Sequence, residues 1–151
     1  MNDGIAQQNS TPTTIGLRVS AEPGQLVMLR ALAETVGLVA DFGIGEVGDI
    51  RLALDEVATE LVRNAQPGSM LDCDLAYDAD GMTVQMTALE SSRGVMTEES
   101  LSGDIVRTLT VAVHTYQEAA SIAGTGFPTL VEFRWLRTSH DRRYCGNPDN
   151  S

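Results

Sequence analysis

The chain has 151 residues, 42% of them apolar, and its 10 basic against 21 acidic residues give a formal charge of −11. A chain of this length buries about two thirds of its unfolded surface in one domain. A sequence pI near 4.4 excludes phosphate-driven nucleic-acid binding and disfavours adsorption to anionic membranes. An acidic surface instead suits a partner with a basic face, because complementary fields speed encounter.

All ten basic residues are arginine. The absence of lysine removes a phosphate-loop lysine, a Schiff-base lysine and the lysine of the eukaryotic-type kinase fold. Histidine and cysteine are confined to His114, His140, Cys73 and Cys145, with neither zinc-site spacing nor a disulfide framework. No apolar run reaches the ~18–20 residues of a membrane span. The polar first residues lack the basic-then-apolar order of a secretory signal. The expectation is a cytoplasmic protein.

Residues 1–14 read as a disordered segment, 15–138 as a single folded domain and 139–151 as a flexible tail. Ile15, Leu17 and Val19 alternate with Gly16, Arg18 and Ser20, the period of a half-buried strand. Pro23 then suits the first turn of a helix. Leu26, Leu29, Leu32, Ala33, Val36 and Val39 recur at helical spacing, and this first helix closes near Asp41-Phe42-Gly43. A second helix runs from about Glu46 to Gln66 and stops at Pro67-Gly68. On it Ile50, Leu54, Val57, Ala58, Leu61 and Ala65 share one face; Asp49, Glu56, Glu60, Arg63 and Asn64 gather on another. Leu71, Cys73, Leu75 and Tyr77, then Met82, Val84 and Met86, read as two strands joined by Asp80-Gly81 into an antiparallel hairpin. Residues 90–103 have loop composition. The spacing of Ile105, Leu109, Ala112 and Val113 predicts a third helix from Asp104 to His114, whose terminal cation the helix dipole would favour. Tyr116 to Ile122 reads as a strand, Gly124-Thr125-Gly126 as a turn, and Val131, Phe133 and Trp135 as a final strand. The fold class is α+β: a two-layer sandwich, with helices on one face of a mixed, mostly antiparallel sheet.

The strand ending in Ala21-Glu22-Pro23, the following Leu26, Leu29 and Arg30, and the run from Asp49 to Glu60 resemble the RsbW-type anti-sigma factors. These are serine-protein kinases of the GHKL (Bergerat-fold, histidine-kinase-type) ATPase superfamily. The resemblance covers about residues 15–88, and the element order agrees beyond it. It implies that Glu56 polarises the attacking hydroxyl as the catalytic residue, with Glu60 at the position that ligates Mg²⁺ and Asn64 one turn on. It also implies that Glu90 and Gly94 meet the adenine, and that Gly103 belongs to a glycine-rich phosphate cradle. The sequence departs from the family at each box. Glu60 stands where the family has asparagine, the stretch 90–94 lacks the first glycine, and Ser102-Gly103-Asp104 holds one glycine beside a carboxylate. Arg93 or Arg107 would have to serve for the absent lysine. ATP and Mg²⁺ are therefore expected as weakly bound or absent ligands, with the fold kept and the nucleotide chemistry weakened or lost.

Each candidate has a plainer reading. Glu56 suits a solvated helix surface, and Glu60 an ion pair with Arg63 or Arg51. Cys73 alternates inward with Leu71 and Leu75, as an inert buried thiol would. Cys145, near Arg142 and Arg143, has the electropositive setting of a reactive one. What the resemblance implies for function is a homodimeric anti-sigma factor that sequesters an alternative sigma factor and is relieved by a STAS-domain anti-anti-sigma factor. It needs no direct contact with nucleic acid or membrane. The alternative is an active ATP-dependent serine kinase that phosphorylates this antagonist. A small dimerisation module is the third reading.

Overall fold

The computed structural model describes residues 11–94, 97, 104–119 and 126–138. Strand β1 spans Thr13–Ser20, two residues longer at its start than the alternation predicts, and α1 spans Leu26–Val39 after a single 3-10 turn at Pro23–Gln25. Helix α2 is Ile44–Asn64, β2 is Met70–Tyr77 and β3 is Gly81–Glu90. The short α3 at Asp104–Leu109 precedes β4 at Ala112–Gln117 and β5 at Phe127–Leu136.

The five strands lie in the order β1-β2-β3-β5-β4, and every pairing among the described residues is antiparallel. The α+β two-layer arrangement is as expected, with a sheet that is antiparallel throughout these pairings rather than mixed. Side chains alternate across a strand. The register therefore gathers Val19, Leu71, Cys73, Leu75, Val84, Met86, Val131 and Phe133 on one buried face. Against the core pack Leu29, Ala33 and Val36 of α1 and Ile50, Leu54, Val57 and Leu61 of α2. Phe133 and Trp135 meet edge to face, with ring centroids 5.1 Å apart. Among the described residues no helix is long and apolar enough to cross a membrane.

Local chemistry explains the turns. After α1, Asp41 adopts φ 64°, the left-handed conformation usually left to glycine. Phe42 N then donates to Gly37 O at 3.0 Å and Asp41 N to Leu38 O at 3.1 Å, a Schellman-type stop that buries Phe42. Gly37 also lets the helices close: a Cβ there would lie 3.1 Å from a methyl of Val47. In the β2–β3 turn the Asp78 carboxylate accepts the amides of Asp80 (2.8 Å) and Gly81 (3.0 Å). Those two bonds hold its pKa below the usual value.

The segment after α3 corrects the helix expected to run to His114. Residues 112–117 pair with 129–134 of β5, so His114 lies opposite Glu132 in a strand and closes no helix. The stretch Val111, Val113, Thr115 and Tyr116 is rich in β-branched and aromatic residues, which suit a pleated surface. Tyr116 belongs to this earlier strand, which ends at Gln117, so Glu118 and Ala119 are not the strand expected there; residues 120–122, the Gly124-Thr125 part of the turn and the tail with Cys145 lie outside the described residues.

Arg137, just past β5, fastens two turns to the end of that strand, the β2–β3 turn and the α1–α2 turn. Its backbone amide donates to Asp80 O at 2.9 Å. Its guanidinium donates to Asp78 O at 2.9 and 3.1 Å and to Asp41 O at 3.4 Å. The same group lies 4.3 Å from the centre of the Phe42 ring. Replacing it should be costly despite its place near the chain end. Arg137→Ala is expected to lower unfolding free energy by about 1–3 kcal/mol, read as a lower urea midpoint with an unchanged slope.

Candidate functional site

Helix α2 has two jobs. Its buried seam fixes its rotation on the sheet, and residues about 100° away are carried with it. Glu56, Glu60 and Asn64 (i, i+4, i+8) form a half-buried stripe about 12 Å long at 1.5 Å per residue. Glu56 makes no side-chain hydrogen bond or ion pair among the described residues. Glu60 is paired with Arg63 one turn on. Asn64 Nδ2 donates to Glu60 O at 3.0 Å, while its own carbonyl accepts the amide of Ser91 at 2.9 Å. The end of α2 is thereby stitched to the end of β3, and Gln66 N adds a 2.7 Å bond to Leu89 O.

The residue expected to open a loop, Glu90, is instead the last of β3 and is closed to solvent. It shares strand parity with Met82, Val84, Met86 and Ala88, so it points toward the helices. Its Oε2 accepts Gln117 Nε2 at 2.9 Å. The same nitrogen lies 3.0 Å from Thr129 Oγ1, and Gln117 Oε1 accepts the amide of Gly94 at 2.7 Å. Glu90 Oε1 has no hydrogen-bond partner among the described residues. Burial pushes the Glu90 carboxyl up to about 7, against the opposing pull of bonds from Thr129 and Gln117. Gly126, at φ 125°, closes the corner: a Cβ there would stand 2.6 Å from Glu90 O.

Asn64, Glu90 and Gly94 thus meet at one corner, where α2, β3 and β4 end. Glu60 lies one turn back along α2 and Glu56 two turns back; Gly103 lies outside the described residues. Gln117 and Thr129 were absent from the sequence candidates. Extending the alternation of Val131, Phe133 and Trp135 back by one step would have placed Thr129 inward. Gln117 lay in the strand expected over Tyr116 to Ile122, and only the pairing with Thr129 brings it to Glu90.

The two ends of an expected Mg-ATP fare differently. Glu90 Oε1 has the chemistry of an acceptor for a base amino group, the role the resemblance implies, but it is closed to solvent. At the metal end, Glu60 already holds a guanidinium whose charge opposes a divalent cation. Among the described residues no three acidic, histidine or cysteine side chains are grouped to hold a metal. Elsewhere in the sheet, Cys73 is buried as expected, and its thiol is pushed up to about 12, chiefly by burial and then by the Asp74 charge. It is inert at neutral pH.

These features define a two-layer α+β protein in which one helix serves both the core and a polar corner at the end of the sheet. No family model matches the chain. It is 30% identical over 127 residues to Anti-sigma-F factor RsbW of Mycobacterium tuberculosis, in strains CDC 1551/Oshkosh and ATCC 25618/H37Rv. The match covers 83% of this chain and 76% of each relative. The chain belongs to the RsbW family of anti-sigma factors.

The buried carboxyl has a thermodynamic signature. The folded-state pKa of Glu90 is raised from 4.5 to about 7. Its protonation therefore favours the fold fully below pH 4.5, and that contribution is lost as pH rises through about 7. Glu90→Gln should remove roughly 2–3 kcal/mol of this pH dependence, measured as urea midpoints from pH 4.5 to 8. A wild-type-minus-variant difference that stays flat across the range would contradict the assignment.

Proposed function

We propose that this protein is an anti-sigma factor that sequesters an alternative sigma factor, of stress or developmental type, by covering its polymerase-binding surface. In this reading it works in the cytoplasm as a homodimer and is released by a STAS-domain anti-anti-sigma factor. Its scaffold is that of the GHKL ATPases, with nucleotide binding and phosphoryl transfer weakened or lost. The observation that carries the reading is the identity to Anti-sigma-F factor RsbW over 83% of the chain. A formal charge of −11 supports it physically, since an acidic protein is drawn to a basic partner surface. Sequestration by contact also needs no metal, which agrees with a Glu60 engaged by Arg63.

The serine-kinase alternative draws on one feature, the stripe residue Glu56, which is left without a side-chain partner among the described residues. As the resemblance has it, this carboxylate would polarise the hydroxyl of the antagonist. Phosphoryl transfer depends on positioning and metal electrostatics, and at the metal end Glu60 is paired with Arg63. No transfer step follows from these residues.

Two measurements separate the readings. Size-exclusion chromatography with candidate sigma factors should give a complex that weakens as salt rises; no complex with any of them rejects sequestration. Calorimetry with Mg-ATP should show no saturable micromolar binding. Saturable heat abolished by Glu56→Ala or Glu60→Ala would establish the kinase reading in its place.

A further inference from the structure

We propose that Gln117 is a built-in occupant of the Glu90 corner: its carboxamide holds the place of a ligand edge that carries an amino donor beside a ring-nitrogen acceptor, and closes the corner to such a ligand. This rests on the weakened nucleotide binding of the reading above and gives that loss a cause within the fold. Three strands contribute. Strand β5 lies between β3 and β4, and Gln117, the last residue of β4, reaches across it to Glu90, the last residue of β3. Thr129 of β5 is fully buried, with its Oγ1 3.0 Å from Gln117 Nε2. The same amide also meets exposed backbone: its Nε2 lies 3.3 Å from Ser92 O, and its Oε1 accepts Gly94 N at 2.7 Å. Ser92 and Gly94 are open to solvent, Glu90 is closed to it, and half-buried Gln117 joins them. Its two amide protons face three acceptors, Glu90 Oε2, Thr129 Oγ1 and Ser92 O. Even so, Glu90 Oε1 is left without a partner among the described residues. A buried carboxyl with an unsatisfied oxygen is costly, and an apolar pair at 90 and 117 would close the sheet end at lower cost. The corner keeps the polar groups of a recognition site and meets them with a side chain of its own.

The pattern that Gln117 satisfies defines the ligand it excludes. An NH₂ group donates to Glu90 Oε2, and beside it an acceptor takes the Gly94 amide. A primary amide and the edge of an aminated heterocycle carry this same pair; adenine sets its amino group beside a ring nitrogen. Only that edge has to enter. The rest of the ring would lie toward Ser92 and Gly94, where the corner faces solvent. A heterocycle with a carbonyl in place of the amino group sets acceptor against carboxylate and is rejected.

Adenosine tests this without phosphate or metal. The full chain is titrated at pH 8, above the raised pKa of Glu90, by calorimetry and by amide NMR shifts, with inosine as the control. The wild type is expected to bind neither nucleoside saturably. Gln117→Ala should bind adenosine about tenfold or more tighter than the wild type, discriminate against inosine, and show shifts at the Glu90 and Gly94 amides. Adding Glu90→Leu to that variant should abolish the gain. Circular dichroism checks the fold; if Gln117→Ala does not fold, Gln117→Ser removes the amide, keeps a small polar group and carries the same expectation. A wild type that binds adenosine as tightly as the variant, or a folded variant that binds none, would overturn the proposal. So would equal binding of inosine, or a gain that survives Glu90→Leu. Loss of the fold in both variants assigns Gln117 to stability alone and rejects it too. The reading beneath fails separately: saturable Mg-ATP binding by the wild type rejects a weakened nucleotide site whatever the variants do, and the sigma-factor complex is read on the wild type alone.

Discussion

The seam between α2 and the sheet governs the rest of the molecule. Ile50, Leu54, Val57 and Leu61 are fully buried, and each side chain of this kind contributes about 1.5–3 kcal/mol when removed from water. Nothing less than breaking that seam can rotate the helix. Because the seam and the stripe share one backbone, the direction of Glu56, Glu60 and Asn64 follows from core packing. The same constraint sets α1, which Gly37 allows to approach Val47.

Much of this was legible in the residues. Alternation marked β1, β2 and β3, and helical spacing marked α1 and α2, with the α2 ends displaced by two residues at each side. These are local signals, read against one dominant period. The failure between residues 104 and 117 has a physical cause. Ile105, Leu109, Ala112 and Val113 satisfy a helix, while Val113 and Thr115 satisfy a strand facing the helices. Local spacing cannot choose between them; pairing with residues 129–134 of β5 does. The polar corner was half legible for the same reason. Asn64 and Glu90 could be named from the chain, but the groups that hold Glu90 come from Gln117 and Thr129, distant in sequence and joined only by the fold.

Desolvation acts on two side chains of the sheet with different results. At Cys73 it suppresses the charged form far above neutral pH and makes the thiol a small apolar residue. At Glu90 it stops near neutrality because Gln117 and Thr129 offset part of the penalty. A carboxyl left at about 7 with one unpartnered oxygen is not an economical way to end a strand, since an apolar residue would satisfy the site at lower cost. Its burial marks the corner as the place where the chain departs from what folding alone would select.

The stripe and the seam differ in what they can tolerate. None of Glu56, Glu60 or Asn64 belongs to the buried core, so replacing one polar stripe residue by another costs the fold little. Glu60 is an instance: where the resemblance leads one to expect asparagine, a carboxylate sits on the helix in an ordinary ion pair with Arg63. A change at the seam would open a cavity costing about 2–5 kcal/mol for a leucine truncation, a large part of the stability of a chain this size. Stripe substitutions, including any that would erode a metal site, are therefore tolerated by the fold, while the surfaces that the seam positions persist. A docking function is robust to that erosion in a way that phosphoryl transfer is not, because contact between faces requires only that the helices stay where the core puts them.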